Sequence, residues 1–287
     1  MTWHIRALRS SVAALAVSLA PLAAQTPGAS QAGTNPDPNM PRPIPARASV
    51  FLQELTWLEV RDAIRAGKKT VIVATGGIEQ NGPYLVLDKH NVVLRATTEA
   101  IARKLGDALV APIVPFVPEG TINPPSGHMR YPGTISLSDD TFQRLLMDIA
   151  NSLRQHGFTQ VILIGDSGGN QAGMRAVAER LKGEWAGSGV SIHYIPEYYD
   201  YPGVYRWLES QGVHQVDQGL HDDFQITSSM MVVDPTTVRM QERIAAGKFS
   251  INGVDLAPAD SAIAWGRRVV DWRAEKAVEA IRKAMGK

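Results

Sequence analysis

The stretch Thr159-Gln160-Val161-Ile162-Leu163-Ile164-Gly165 runs straight into Asp166-Ser167-Gly168-Gly169-Asn170. Its unbroken run of large, mostly β-branched apolar residues has the length of a strand buried on both faces. An amphipathic segment begins at residue 171, so the glycine-rich turn lies between a strand's carboxyl end and a helix, where α/β folds place their ligands. Working outward, residues 69–75, 108–115, 189–195 and 228–233 carry similar short apolar runs. Residues 57–66, 91–105, 139–156, 171–185 and 260–284 carry helical patterns. Ser138 and Asn170 are suited to cap the third and fourth of these helices, and Gly157 to end the third. Together the alternation predicts an α/β fold: a mostly parallel central sheet with helices on both faces.

The first residues read differently. His4, Arg6 and Arg9 precede an apolar run over 12–22 and the small pair Ala23-Ala24, the order of a secretory signal peptide. That run is about half of the ~20 residues needed to span a bilayer, which leaves a retained N-terminal anchor as the weaker alternative. Residues 25–48 are rich in Pro, Ala, Gly and Asn and predict a disordered linker. The expected organisation is therefore a signal peptide over 1–24, a linker over 25–48 and one domain over 49–287. Such a chain is secreted or periplasmic, with no membrane attachment once the signal is removed. A net charge of +1 gives no reason to expect a nucleic-acid partner. With no cysteine, disulfides, thiolate nucleophiles and Cys-ligated zinc are excluded.

Four segments carry the chemistry. Glu79 follows the 69–75 run in a Gly/Pro-rich loop with Asn81, Asp88 and His90. Carboxylates and imidazoles so close together can converge on zinc, manganese or iron, although a solvated polar loop has the same composition. Gly165 to Gly169 also fits G-x-S-x-G, which would make Ser167 a nucleophile with His221 as base and Asp200 or Asp217 as its orienter. Against that reading, the histidine of such hydrolases usually lies near the C-terminus, and none follows His221. His221 stands beside Asp222 and Asp223, as a ligand with a hydrogen-bonded partner or a proton-shuttling histidine would, and as a capped surface turn also would. Residues 126–134 form a turn-rich stretch whose Pro and Gly account for its shape but not for His128. His156 suits a helix end, and His193 alternates with apolar neighbours as a packed strand histidine does. The aromatic run over 196–202 suits a pocket wall or an interface loop.

Taken together, these segments resemble the creatininase (creatinine amidohydrolase) family. Leu52 to Trp57 resembles its N-terminal helix start, and Glu79 to His90 its E-Q-H-G-P-H-L-P-L-x-x-D block. His128 to Leu137 matches H-x-x-x-P-G-T-I-S-L, Gly165 to Asn170 the N-G-H-G-G-N strand end, and His221 to Ser228 the H-A-G-x-x-E-T-S block. The resemblance implies a metal-dependent amidohydrolase in which one or two divalent ions activate a water that attacks an amide or cyclic amide carbon. It also implies a homo-oligomer, commonly a hexamer.

Residue by residue, Glu79 matches a family ligand and His221 the catalytic histidine. Asn81 stands where a ligand His is usual, His90 replaces the bridging Asp, Ser167 a His and Ile226 a Glu. The expected site is thus a rearranged one holding a single Zn, Mn or Fe ion through Glu79, His90, Asp166 and His221. His221 is also catalytic, and Asn81, His128 and Ser167 contact a small-molecule substrate. The expected reaction is hydrolysis of an amide or cyclic amide C–N bond. A non-catalytic small-molecule binder on the same fold is the alternative, followed by a Ser167 hydrolase.

Overall fold

The computed structural model describes residues 35–287; the expected signal peptide and residues 25–34 of the expected linker lie outside the described residues. Residues 35–41 belong to a unit separate from the one that begins at Arg42, and they hold no helix or strand. In the larger unit, residues 42–48 also lack regular structure, and the Arg47 amide donates to Glu59 at 2.5 Å.

Four parallel strands form the central sheet: β1 (Thr70–Thr75), β2 (Ala108–Val110), β3 (Gln160–Gly165) and β4 (Ser191–Tyr194), in the order β2-β1-β3-β4. Alternate residues of a strand face opposite sides, and both sides here are apolar. Val71, Val73, Val161 and Leu163 pack with α1 (Trp57–Arg65), α3 (Asp139–Gln155) and α4 (Asn170–Glu184). Ile72, Ala74, Ile162 and Ile164 pack with α2 (Lys89–Leu105) and α8 (Ala259–Ala284). The expected sheet with helices on both faces is what forms. The path from β1 to β2 and the path from β3 to β4 lead in opposite directions, so the switch point lies between β1 and β3.

A third apolar cluster joins α5 (Tyr201–Ser210), α6 (Phe224–Val233), α7 (Met240–Ala245) and the inner face of α8, beside a short hairpin of β5 (Ser250–Ile251) and β6 (Val254–Asp255). Residues 228–233, expected as a strand, belong to α6. Every residue of α6 from Phe224 to Met231 is buried, and a helix buried all round shows no apolar stripe to distinguish it from a buried strand. A Cβ on Gly266 of α8 would lie 2.0 Å from the Ser228 carbonyl oxygen, so glycine sets how closely these helices approach.

Local expectations divide. Ser138 caps α3 by accepting from the Thr141 amide at 3.3 Å, and Gly157, with φ 101°, follows its end. Asn170 does not cap α4 but is its first residue. Its side-chain amide donates to the Thr75 and Gly76 carbonyls at 3.0 and 2.9 Å, tying the end of β1 to α4. The run over 108–115 is a strand only to Val110. Among the described residues, no helix is long and apolar enough to cross a membrane.

Candidate functional site

The loops that leave β1 and β3 meet at the switch point. After β1, Gly76 and Gly77 carry the chain tightly past α2: a Cβ on Gly76 would lie 1.9 Å from Asn91 Oδ1. Glu79 follows, and its buried carboxylate becomes the centre of the site. Glu79 Oε1 accepts from His90 Nε2 at 2.8 Å and lies 3.5 Å from Lys89 Nζ and 3.8 Å from His221 Nε2. Glu79 Oε2 lies 3.3 Å from His128 Nε2. The rings of His128 and His221 stack with centroids 4.5 Å apart. One donor atom from each of Glu79, His128 and His221 lies within 4.8 Å of the others.

His221 is presented in the orientation a ligand needs. Its Nδ1 is 2.9 Å from the Gln80 carbonyl, which can only accept, so Nδ1 carries the hydrogen and Nε2 keeps a lone pair toward Glu79. Burial, assisted by Lys89, lowers its pKa and keeps the ring neutral. The backbone at His221 is left-handed, with φ 59°, a conformation a non-glycine residue holds only when its surroundings enforce it.

A second carboxyl, Glu119, was not among the residues expected from sequence. It is buried in the Pro118-Glu119-Gly120 turn and faces Glu79. Burial, the hydrogen bond to Glu79 and the charge of Glu79 push its pKa up to about 10. For Glu79, burial acts upward, but His90, then Glu119 and Lys89, hold it well below the ordinary carboxylate range. The pair therefore carries one proton, on Glu119. Glu119 Oε1 is buried without a donor. Apart from Glu119, the carboxylate of Glu79 and the imidazoles of His128 and His221 make a donor set that fits a divalent cation.

His90 and Asp166 are committed elsewhere. His90 Nδ1 lies 2.9 Å from Asp166 Oδ2, and Arg273 Nη2 lies 2.5 Å from Asp166 Oδ1. Burial alone would raise the pKa of Asp166, but Arg273 and then His90 more than offset it and hold the carboxyl below its ordinary value. The four expected ligands therefore do not converge: Glu79 and His221 meet with His128, while His90 bridges Glu79 to Asp166. The cause is Arg273, which reaches from α8 and captures Asp166.

A cavity of about 1000 Å³ opens over this cluster and is lined by Glu79, Glu119, His128, Ser167, Tyr199 and His221, among others. His128 and Ser167, expected to contact a substrate, both line this cavity. Asn81 does not: it is fully buried and donates to the Glu79 and Val86 carbonyls at 2.8 and 3.0 Å, holding the loop in shape. No hydrogen bond joins Ser167 to His221 among the described residues. Asp200 caps α5 through the Gly203 amide and Asp217 accepts from Gly219, so neither orients His221. The aromatic run over 196–202 supplies Tyr199 and Tyr201 to the cavity wall.

Comparison with known proteins places this geometry in a lineage. Residues 53–281 match the family model described as Creatininase: Creatinine amidohydrolase. The chain is 25% identical over 221 residues to the creatinine amidohydrolase of Pseudomonas putida, covering 75% of this chain and 83% of that protein. It is 27% identical over 124 residues to the mycofactocin precursor peptide peptidase of Mycolicibacterium smegmatis, covering 42% of this chain and 47% of that protein. Its fold is like that of a solved structure described as "Creatininase Mn", with a TM-score of 0.61 at 22% identity over 82% of this chain and 98% of that one. A mutant creatininase of Zn-Zn type gives a TM-score of 0.59 at 21% identity, over 83% of this chain and 98% of that one. Since the family match takes in the sheet and every loop that contributes Glu79, Glu119, His128 and His221, the chain belongs to the creatininase family.

Proposed function

We propose that this protein hydrolyses the C–N bond of an amide or cyclic amide in a small molecule, at one divalent cation held by Glu79, His128 and His221. The observation that carries the reading is the convergence of these three donors, from three separate loops, within 4.8 Å. The matched relatives are named an amidohydrolase and a peptidase, which supports the reaction class. Zinc, manganese or iron bound there would polarise a carbonyl and make water a nucleophile at neutral pH.

The protein's own groups supply the rest. Glu119 holds a proton beside Glu79 and can pass it to a leaving nitrogen. Asp166 orients His90, and His90 fixes Glu79 Oε1. Ser167 and Tyr199 face the substrate from the cavity wall. Because His90 and Arg273 occupy Asp166, that carboxylate is not free to bridge two ions, which favours one. The basic start and apolar run of the first 24 residues support export as the setting of the reaction.

One observation favours a second reading, a binding protein without catalysis. Lys89 already lies 3.5 Å from Glu79 Oε1 and His90 already hydrogen-bonds the same oxygen, so the carboxylate has partners within the chain. Metal analysis separates the two. After chelation and reloading with zinc or manganese, wild type is expected to hold one equivalent and Glu79→Gln none. Less than about a tenth of an equivalent in wild type overturns the metal reading. Ammonia or amine release from a panel of small amides then tests turnover.

A further inference from the structure

Six carboxyls line the cavity: Glu79, Glu119, Glu209, Asp217, Asp222 and Asp223. Lys89 is the single Lys or Arg among the lining residues, and its ammonium is 3.5 Å from both Glu79 Oε1 and the His221 carbonyl. The space above the Glu79 cluster is thus strongly acidic, and most of this acidity has a local explanation. Glu79 and Glu119 share a proton. Asp223 caps α6 by accepting from the Ile226 amide at 2.7 Å, and its other oxygen accepts from Tyr205 at 2.7 Å. Glu209 pairs with His214, and Asp217 accepts from the Gly219 amide.

Asp222 has no such explanation. It is 8% exposed, lines the cavity, and neither of its carboxylate oxygens has a hydrogen-bond partner outside the residue. Its backbone is pinned, since the Asn252 side-chain amide donates to the Asp222 carbonyl at 3.3 Å. Burial pushes the Asp222 pKa up, and the nearby Arg243 offsets part of that through its charge without coming within hydrogen-bond distance, its own Nη1 being left without a hydrogen-bond partner. Arg243 Nε and Nη2 donate to the Lys248 and Ser250 carbonyls, and its guanidinium lies 4.3 Å over the Tyr84 ring. No ion pair forms between Arg243 and Asp222 among the described residues. A buried carboxylate without partners is costly, and a ligand that brings N–H donors relieves that cost on binding.

We infer that Asp222 is the subsite for a cationic nitrogen of the substrate, so that the amides this cavity selects carry a protonated amine away from the scissile bond. The inference rests on the amide-hydrolase reading, in which the Glu79, His128 and His221 cluster receives the amide group. The cavity volume leaves room for a molecule that reaches both. Two free carboxylate oxygens offer an ammonium at least two charge-assisted hydrogen bonds, which a methyl group cannot use. Tyr205, hydrogen-bonded to Asp223 beside Asp222, adds a ring face to the same wall.

Two probes of equal size test the inference: δ-aminovaleramide and hexanamide, which share the amide and differ in ending on an ammonium or a methyl group. Calorimetric titration of the zinc-loaded protein is expected to show the amine-bearing amide binding at least about tenfold tighter. In Asp222→Asn that ratio falls to near one, while bound zinc stays at one equivalent and the melting temperature confirms folding. Equal affinity of the two probes for wild type overturns the subsite, and so does a preference that survives Asp222→Asn. The wild-type comparison stands alone if the variant does not fold. Failure of the metal reading shows separately, as absence of zinc, and the probe ratio is then read on the metal-free protein.

Discussion

Arg273 and Asp166 form a fully buried ion pair, Nη2 to Oδ1 at 2.5 Å, that joins α8 to the turn after β3. Through His90 Nδ1 the same carboxylate reaches Glu79, so a residue far along the chain fixes the orientation of the carboxylate at the centre of the cluster. Removing one member of a buried pair leaves the other charge uncompensated. Arg273→Met is therefore expected to lower unfolding stability by about 3–5 kcal/mol. Adding Asp166→Leu recovers a good part of that loss. Denaturant titration of the single and double variants checks both outcomes, and a single variant as stable as wild type contradicts them.

The division of labour between ligand and orienting residue gives a second expectation. Glu79→Gln abolishes cation binding, because it removes the donor shared by every contact in the cluster. His90→Ala keeps one ion per chain but weakens its binding about 10–100-fold, the usual cost of losing a group that orients a ligand. Competition against a zinc-chelating dye measures both. Complete loss of binding in His90→Ala would return His90 to the ligand set.

Glu119 makes stability depend on pH in a stated direction. Its pKa is about 10 in the folded chain against an ordinary value of 4.5. Between those limits the folded state keeps a proton that the unfolded state has lost, so stability falls as pH rises. Glu79 is ionised in both states across that window and adds no slope. Glu119→Gln lacks the titrating proton. Its melting temperature after chelation should gain on wild type steadily from about pH 5 to about pH 9. A constant difference between the two curves would contradict the proton assignment.

Ser167 tests the chemistry from the other side. Among the described residues no base hydrogen-bonds to its hydroxyl, and His221 turns its Nδ1 to the Gln80 carbonyl. A fluorophosphonate, which phosphonylates activated serines with loss of fluoride, should leave no adduct on residue 167 by intact-mass and peptide analysis. Stoichiometric labelling there, lost in Ser167→Ala, would revive the nucleophile reading.

Much of the fold was legible because strand and helix periods differ. The runs ending at Thr75 and Gly165 read as strands, and Glu79 and Ser167 fell on the loops where a parallel sheet places ligands. Residues 228–233 misled for a physical reason, since α6 is wrapped by α8 and α2 and shows no polar face. The site was less legible than the sheet. The ion pair of Asp166 was not legible because nothing near it in sequence reveals Arg273, although Arg273 carries a signal of its own: it sits on the buried stripe of α8 with Val269, Val270, Ala274 and Ala277. Glu119 offered only an acidic residue between Pro and Gly, with no spacing to connect it to Glu79. His128 was placed toward the substrate, but its stacking on His221 depends on how the residue 127–130 turn folds back, which no local pattern encodes.

His90, held between two carboxylates, has a bearing on how this protein responds to chelation. The carboxylate at the centre of the cluster is held by hydrogen bonds from within the chain, so its position does not depend on a captured ion. Chelation is therefore expected to leave the melting temperature of the protein nearly unchanged, whatever it does to the proposed reaction.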